Sequence, residues 1–132
     1  MRKTSSTHFQ VDPAEAVQNL RRRARAAETL RQVLEEQARG DVQRIVRMLI
    51  EDFSPRRIYQ WGSLTRPGAF RDFSDIDLAV EGVTDPELFF SMLGKCMELT
   101  DFPVDLVQLE RINPLHAEEI RTHGLLLWEA PS

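Results

Sequence analysis

The spacing of apolar residues changes twice along the chain. Residues 1–11 carry no pattern and read as a loose tail. Apolar positions then recur at Val17, Leu20, Ala24, Ala27, Leu30 and Leu34, a helical stripe, and again at Val42, Ile45, Met48, Leu49 and Phe53. Asp12-Pro13 opens the first run, with Asp as N-cap, Pro at the first helical position and Glu15 closing a capping box. Gly40-Asp41 reads as a stop followed by a new cap. Residues 12–54 are therefore expected to form a helical arm, either two helices or one long bent one.

From Arg56 onward the period shortens. Arg57–Trp61 reads as a strand ended by Gly62, and Pro67-Gly68 as a turn. Ile76–Val80 is a second strand. Asp85-Pro86-Glu87 repeats the cap-and-proline start and opens a helix to about Glu98. Pro103–Leu109 makes a third strand, Asn113-Pro114 opens a helix ending near His123-Gly124, and Leu125–Trp128 is a short fourth strand. The alternation predicts an α/β core over residues 55–132 behind the helical arm.

Composition narrows the picture only a little. A chain of 132 residues can bury one core. Its 17 basic and 21 acidic residues give a net charge of −4, so no global field favours nucleic acid. Arg21, Arg22, Arg23 and Arg25 cluster, and the simplest account is a solvated helix face. One cysteine, Cys96, sits among Leu93, Met97 and Leu99 and reads as a small buried hydrophobe in a reducing compartment. No apolar run is long enough to span a bilayer, and the N-terminus lacks a signal-peptide core, so the expectation is a cytoplasmic protein.

The chemistry is concentrated in three acids. Asp75 and Asp77 flank Ile76 at the head of the second strand, and Asp105 interrupts the third. Strand composition disfavours Asp, and unpaired carboxylates among apolar residues are costly. Asp75 and Asp77 share a face at roughly 6–7 Å, which suits a shared divalent cation. Mg²⁺ takes a few carboxylates and completes its shell with water and phosphate oxygens. Two such ions can clamp an in-line phosphoryl displacement. Gly62 lets the backbone leave its strand sharply and approach a ligand. Ser63, if it starts a short helix, would offer its N–H and hydroxyl to a phosphate.

Gly62-Ser63 followed by Ser74-Asp75-Ile76-Asp77-Leu78, with Asp105 in Pro103-Val104-Asp105-Leu106-Val107, resembles the DNA-polymerase-β-like nucleotidyltransferase superfamily in its minimal, MNT-type form. The resemblance spans about Arg56–Glu129, including Glu119-Ile120 and Gly124 before Leu127-Trp128-Glu129. It implies a mixed sheet packed by helices, with Asp75, Asp77 and Asp105 holding Mg²⁺ or Mn²⁺ and Gly62, Ser63 and Arg66 holding phosphates. Arg66 enters because Leu64 stands where the family often has arginine after Gly-Ser. The implied reaction moves a nucleoside monophosphate from ATP or another triphosphate to an acceptor hydroxyl, with a separate helical HEPN-type protein as partner. The alternative is a non-catalytic module of the same fold, acting as antitoxin or scaffold.

The remaining candidates have plainer readings. His116 and His123 read as surface or packing residues, and Trp61, Phe70 and Phe73 as core before they read as walls for a base. The stripe from Val17 to Leu34 is too apolar to face water throughout, so it is expected to pack partly on the sheet and partly on another chain, most simply a second copy.

Overall fold

The computed structural model describes residues 11–132, so the tail expected over residues 1–11 lies, Val11 apart, outside the described residues. The chain divides into two compact units, residues 1–30 and 31–132. Secondary structure runs α1 (Pro13–Phe53), β1 (Arg57–Trp61), a 3₁₀ turn (Gly62–Thr65), β2 (Ile76–Glu81), α2 (Pro86–Glu98), β3 (Val104–Gln108), α3 (Pro114–His123) and β4 (Leu125–Glu129).

In the first unit, the Asp12 carboxylate accepts from the Ala14 N–H at 3.0 Å, the cap the sequence leads one to expect. Val17, Leu20 and Leu30 are exposed, as are Arg21, Arg22, Arg23 and Arg25.

In the second unit, Gly40 does not stop α1. Ala38, Val42, Ile45 and Leu49 are all buried on one face that continues through it. A mid-helix glycine costs only about 1 kcal/mol, less than burial of that face provides. Asp41 is not a cap either: its carboxylate accepts from the Thr100 hydroxyl at 2.6 Å, beyond the end of α2.

The sheet has the order β3-β2-β1-β4, with β2 and β3 parallel and the other two pairs antiparallel. One face, carrying Ile58, Ile76, Leu78, Val80 and Leu106, packs on residues 31–53 of α1 and on α2. The other, carrying Tyr59 and Ala79, packs on Ala117 and Ile120 of α3. This is the mixed α/β sandwich expected from the sequence. Asp85 and Asn113 cap α2 and α3, accepting from the N–H groups of Glu87 and Leu115 at 2.9 and 2.8 Å. Cys96 is fully buried, and burial pushes its thiol up to about 11, which fits a packing role. No helix among the described residues is long and apolar enough to cross a membrane.

Candidate active site

The ladder brings the sequence motifs together. Trp61 of β1 stands opposite Asp77 of β2, and Asp77 stands beside Asp105 of β3. Side chains alternate along each strand. Trp61, Asp77 and Asp105 therefore share the α3 face with Tyr59, Ala79 and Val107 and form a row across three adjacent strands. Asp75, one residue ahead of β2, is exposed at the end of this row.

Burial and like charge act together here. Asp77 is pushed up to about 7, first by burial, then by the Asp105 and Asp75 carboxylates. Among the described residues, none of the three acids accepts a hydrogen bond or pairs with a cation. Nor do any three His, Cys, Asp or Glu side chains there converge into a metal cage. Mg²⁺ does not require one, since one or two carboxylates with water and phosphate suffice. The donor set fits a divalent cation: hard oxygen ligands, an excess of negative charge, and a half-buried carboxyl whose ionised form a positive partner would favour.

Gly62 follows Trp61 directly and adopts a φ of +78°. A Cβ there would run into the Asp77 carboxylate, so the close approach of turn and acid requires glycine. Beyond it the turn is tied down. Leu64 is buried, the Thr65 hydroxyl donates to the Gly62 carbonyl at 2.6 Å, and the buried Gln60 amide donates to the Leu64 carbonyl at 3.4 Å. Leu64 thus faces the core, where an arginine would not reach ligand, while Arg66 is exposed at the rim. Ser63, inside the turn, is half-buried.

The loop from Arg66 to Asp75 is also anchored. Phe70 is buried against Phe102, the rings edge to face at 5.3 Å. Glu35 of α1 accepts from the Gly68 N–H at 3.2 Å and from Arg31 and Arg39, and the Arg31 hydrogen bond most of all holds its carboxyl below the usual range. Phe73, expected in the core, is instead 80% exposed two residues before Asp75.

His116 and His123, expected to be surface or packing residues, lie beside the site. His116, Glu119 and His123, on one face of α3, line a recess of about 420 Å³ with Trp61, Gly62 and Arg66. Their spacing was visible in the sequence; their position opposite Trp61 depends on how α3 packs back onto β1. Gly124 permits that packing, since a Cβ there would meet the Ile120 and Gln60 carbonyls at 2.5 and 3.0 Å.

Similarity to known proteins agrees with this geometry. No curated protein matches the chain. Among solved structures, a mutant of the toxin–antitoxin MntA–HpeT is 25% identical with a TM-score of 0.58, covering 67% of this chain and 73% of that one. A toxin–antitoxin with AMP-PNP is 27% identical at 0.55, covering 69% and 73%. An MNT antitoxin in complex with a tri-AMPylated HEPN toxin from Shewanella oneidensis, at 23% identity and 0.50 with 73% of each chain covered, shares the fold. Residues 43–132 match the family described as Polymerase beta, Nucleotidyltransferase. The chain belongs to the polymerase beta nucleotidyltransferase family.

Proposed function

We propose that this protein is a metal-dependent nucleotidyltransferase that moves a nucleoside monophosphate, AMP from ATP by default, onto a hydroxyl of a helical HEPN-type partner protein. The observation that carries the reading is the row of unpaired acids with Asp77 pushed up to about 7. A fold does not retain such a cluster for stability, because each neighbour raises the cost of ionising the next. Asp75, Asp77 and Asp105 would hold Mg²⁺ or Mn²⁺, which when bound would neutralise them and the phosphate oxygens facing them.

The chain's own residues supply position. Ser63 and the Gly62 backbone would hold the β- and γ-phosphates, and Arg66 would pair with the tail. The acceptor oxygen bonds to the α-phosphorus as the bond to the bridging oxygen breaks. Pyrophosphate leaves, and the hydroxyl proton passes to the Asp105 carboxylate. Holding the two reactants in line is where most of the rate would come from. The partner reading is supported by toxin–antitoxin neighbours of the same fold, one of them with AMP-PNP. The exposed Val17, Leu20 and Leu30 face is assigned to contact with another chain, a second copy or the helical partner.

The test is incubation of the protein with labelled ATP, Mg²⁺ and a lysate of the source cell. One protein should gain the mass of one nucleotide, and Asp75→Asn should prevent it. Equal labelling with Asp75→Asn would reject these acids as the catalytic set. The antitoxin names of the neighbours favour one other reading, a non-catalytic binding module. In that case Asp75→Asn would neutralise the partner as well as wild type does, with no label transferred.

A further inference from the structure

Away from its Gly62–Arg66 edge, to which the phosphates are assigned, the recess between the Gly62–Thr65 turn and α3 is poorly suited to polyphosphate. Its walls are largely ring and hydrocarbon: Trp61, the His116 imidazole set edge-on to it at 5.2 Å and 89°, and Ile120. Arg66 brings its one permanent positive charge, while Glu119 brings a negative one that would repel phosphate. Glu119 already faces His123 at 3.9 Å.

The polar groups are those a heteroaromatic base pairs with. The Trp61 indole N–H, like that of Trp128, is buried without a hydrogen-bond partner among the described residues, so it is the ring of Trp61 rather than its N–H that the recess meets. Glu119 offers an acceptor for amine or ring N–H groups. A volume of about 420 Å³ lies in the range of small-molecule sites and exceeds what a single six-membered ring fills. Trp61 stands beside Asp77 across the β1–β2 ladder, one strand spacing of about 4.8 Å away. A nucleotide whose α-phosphate lay at the acid row would have its sugar and base within reach of this wall.

We propose that the recess holds the base of the donor nucleotide, a purine, with Trp61 and His116 as its aromatic walls and Glu119 as its hydrogen-bond acceptor. The inference rests on the nucleotide reading above and adds to it the part of the substrate that the acid row does not touch.

Calorimetric titration of the intact chain in Mg²⁺ with ATP, GTP, CTP, UTP and inorganic tripolyphosphate tests it. Two variants are compared with wild type. His116→Ala lies on an exposed helix position, and Trp61→Leu keeps an apolar side chain while removing the ring. Wild type should prefer one or both purine triphosphates over the pyrimidines by about tenfold. Each variant should weaken purine triphosphate binding by about five- to tenfold and leave tripolyphosphate affinity unchanged. An equal loss for tripolyphosphate would place the phosphate tail in the recess and overturn the proposal. So would unchanged purine affinity in both variants, or no preference among the bases, and either result would leave the nucleotide reading standing. Failure of wild type to bind any triphosphate would remove both.

Discussion

Gly62 and Asp77 occupy each other's space: the Asp77 carboxylate fills the position a Cβ on Gly62 would take. The glycine is thus needed twice, for its φ of +78° and for this approach. Gly62→Ala should cost about 1–3 kcal/mol of stability from backbone strain alone. It should also displace Asp77 and reduce whatever stabilisation Mg²⁺ provides. Thermal melts of both proteins with and without Mg²⁺ measure the two effects, and a variant that melts like wild type in both conditions would contradict this account.

The raised Asp77 carboxyl makes stability depend on pH in a stated direction. The unfolded chain loses this proton near 3.8 while the fold keeps it until about 7. Within that window the native state binds more protons, so metal-free stability should fall as pH rises from about 4 to 7. Asp77→Asn should flatten this fall and melt higher than wild type at pH 8 without metal. Mg²⁺ should raise the melting temperature of wild type at pH 8, do less at pH 5, and do little for Asp77→Asn. A metal-free wild-type curve that rises through the window would refute the assignment.

Gly40 is an unforced glycine. Nothing beyond the tip of Arg44, at 3.8 Å, stands near the place of its Cβ, and its backbone is helical. Gly40→Ala should therefore stabilise the protein by about 0.4–1 kcal/mol, through helix propensity and a less mobile unfolded chain. Chemical denaturation of the two proteins decides it; a loss of stability would mean that the helix is tighter at this point than its geometry indicates.

Glu35 reaches the Arg66–Asp75 loop from outside the matched family region, which begins at residue 43. Its lowered carboxyl means that its contribution is present above the unfolded value of 4.5 and is lost as pH falls through the lower folded value. Glu35→Gln should cost about 1 kcal/mol at neutral pH and loosen the loop. Amide exchange at Gly68 reads this directly, and unchanged protection there would show that Phe70 alone fixes the loop.

Elements whose signals are local were legible in the sequence. The caps at Asp85 and Asn113 gave the starts of α2 and α3, and the motif spacing marked out Gly62, Asp77 and Asp105, which the strand register sets side by side. Gly40-Asp41 left one helix or two open, and burial of Ala38, Val42, Ile45 and Leu49, which outweighs a glycine's local preference, decides for one. Phe73 misled because its neighbour Phe70 alone takes the place in the core. His116, Glu119 and His123 form a face only in relation to Trp61, 55 residues or more away in sequence, and no local pattern carries that information.

The fastening of the Gly62–Thr65 turn has a consequence in time. With Leu64 in the core, Gln60 bonded beneath it and Thr65 closed onto Gly62, this stretch cannot fray like an ordinary surface loop. The Arg66 amide, bonded to the Ser63 carbonyl at 3.2 Å, is freed only when Leu64 leaves the interior. Its hydrogen should exchange with solvent at the slow pace of β1, in the same cooperative opening. The edge assigned to the phosphates is in that sense already set before any ligand arrives, and binding there need not wait for a loop to order.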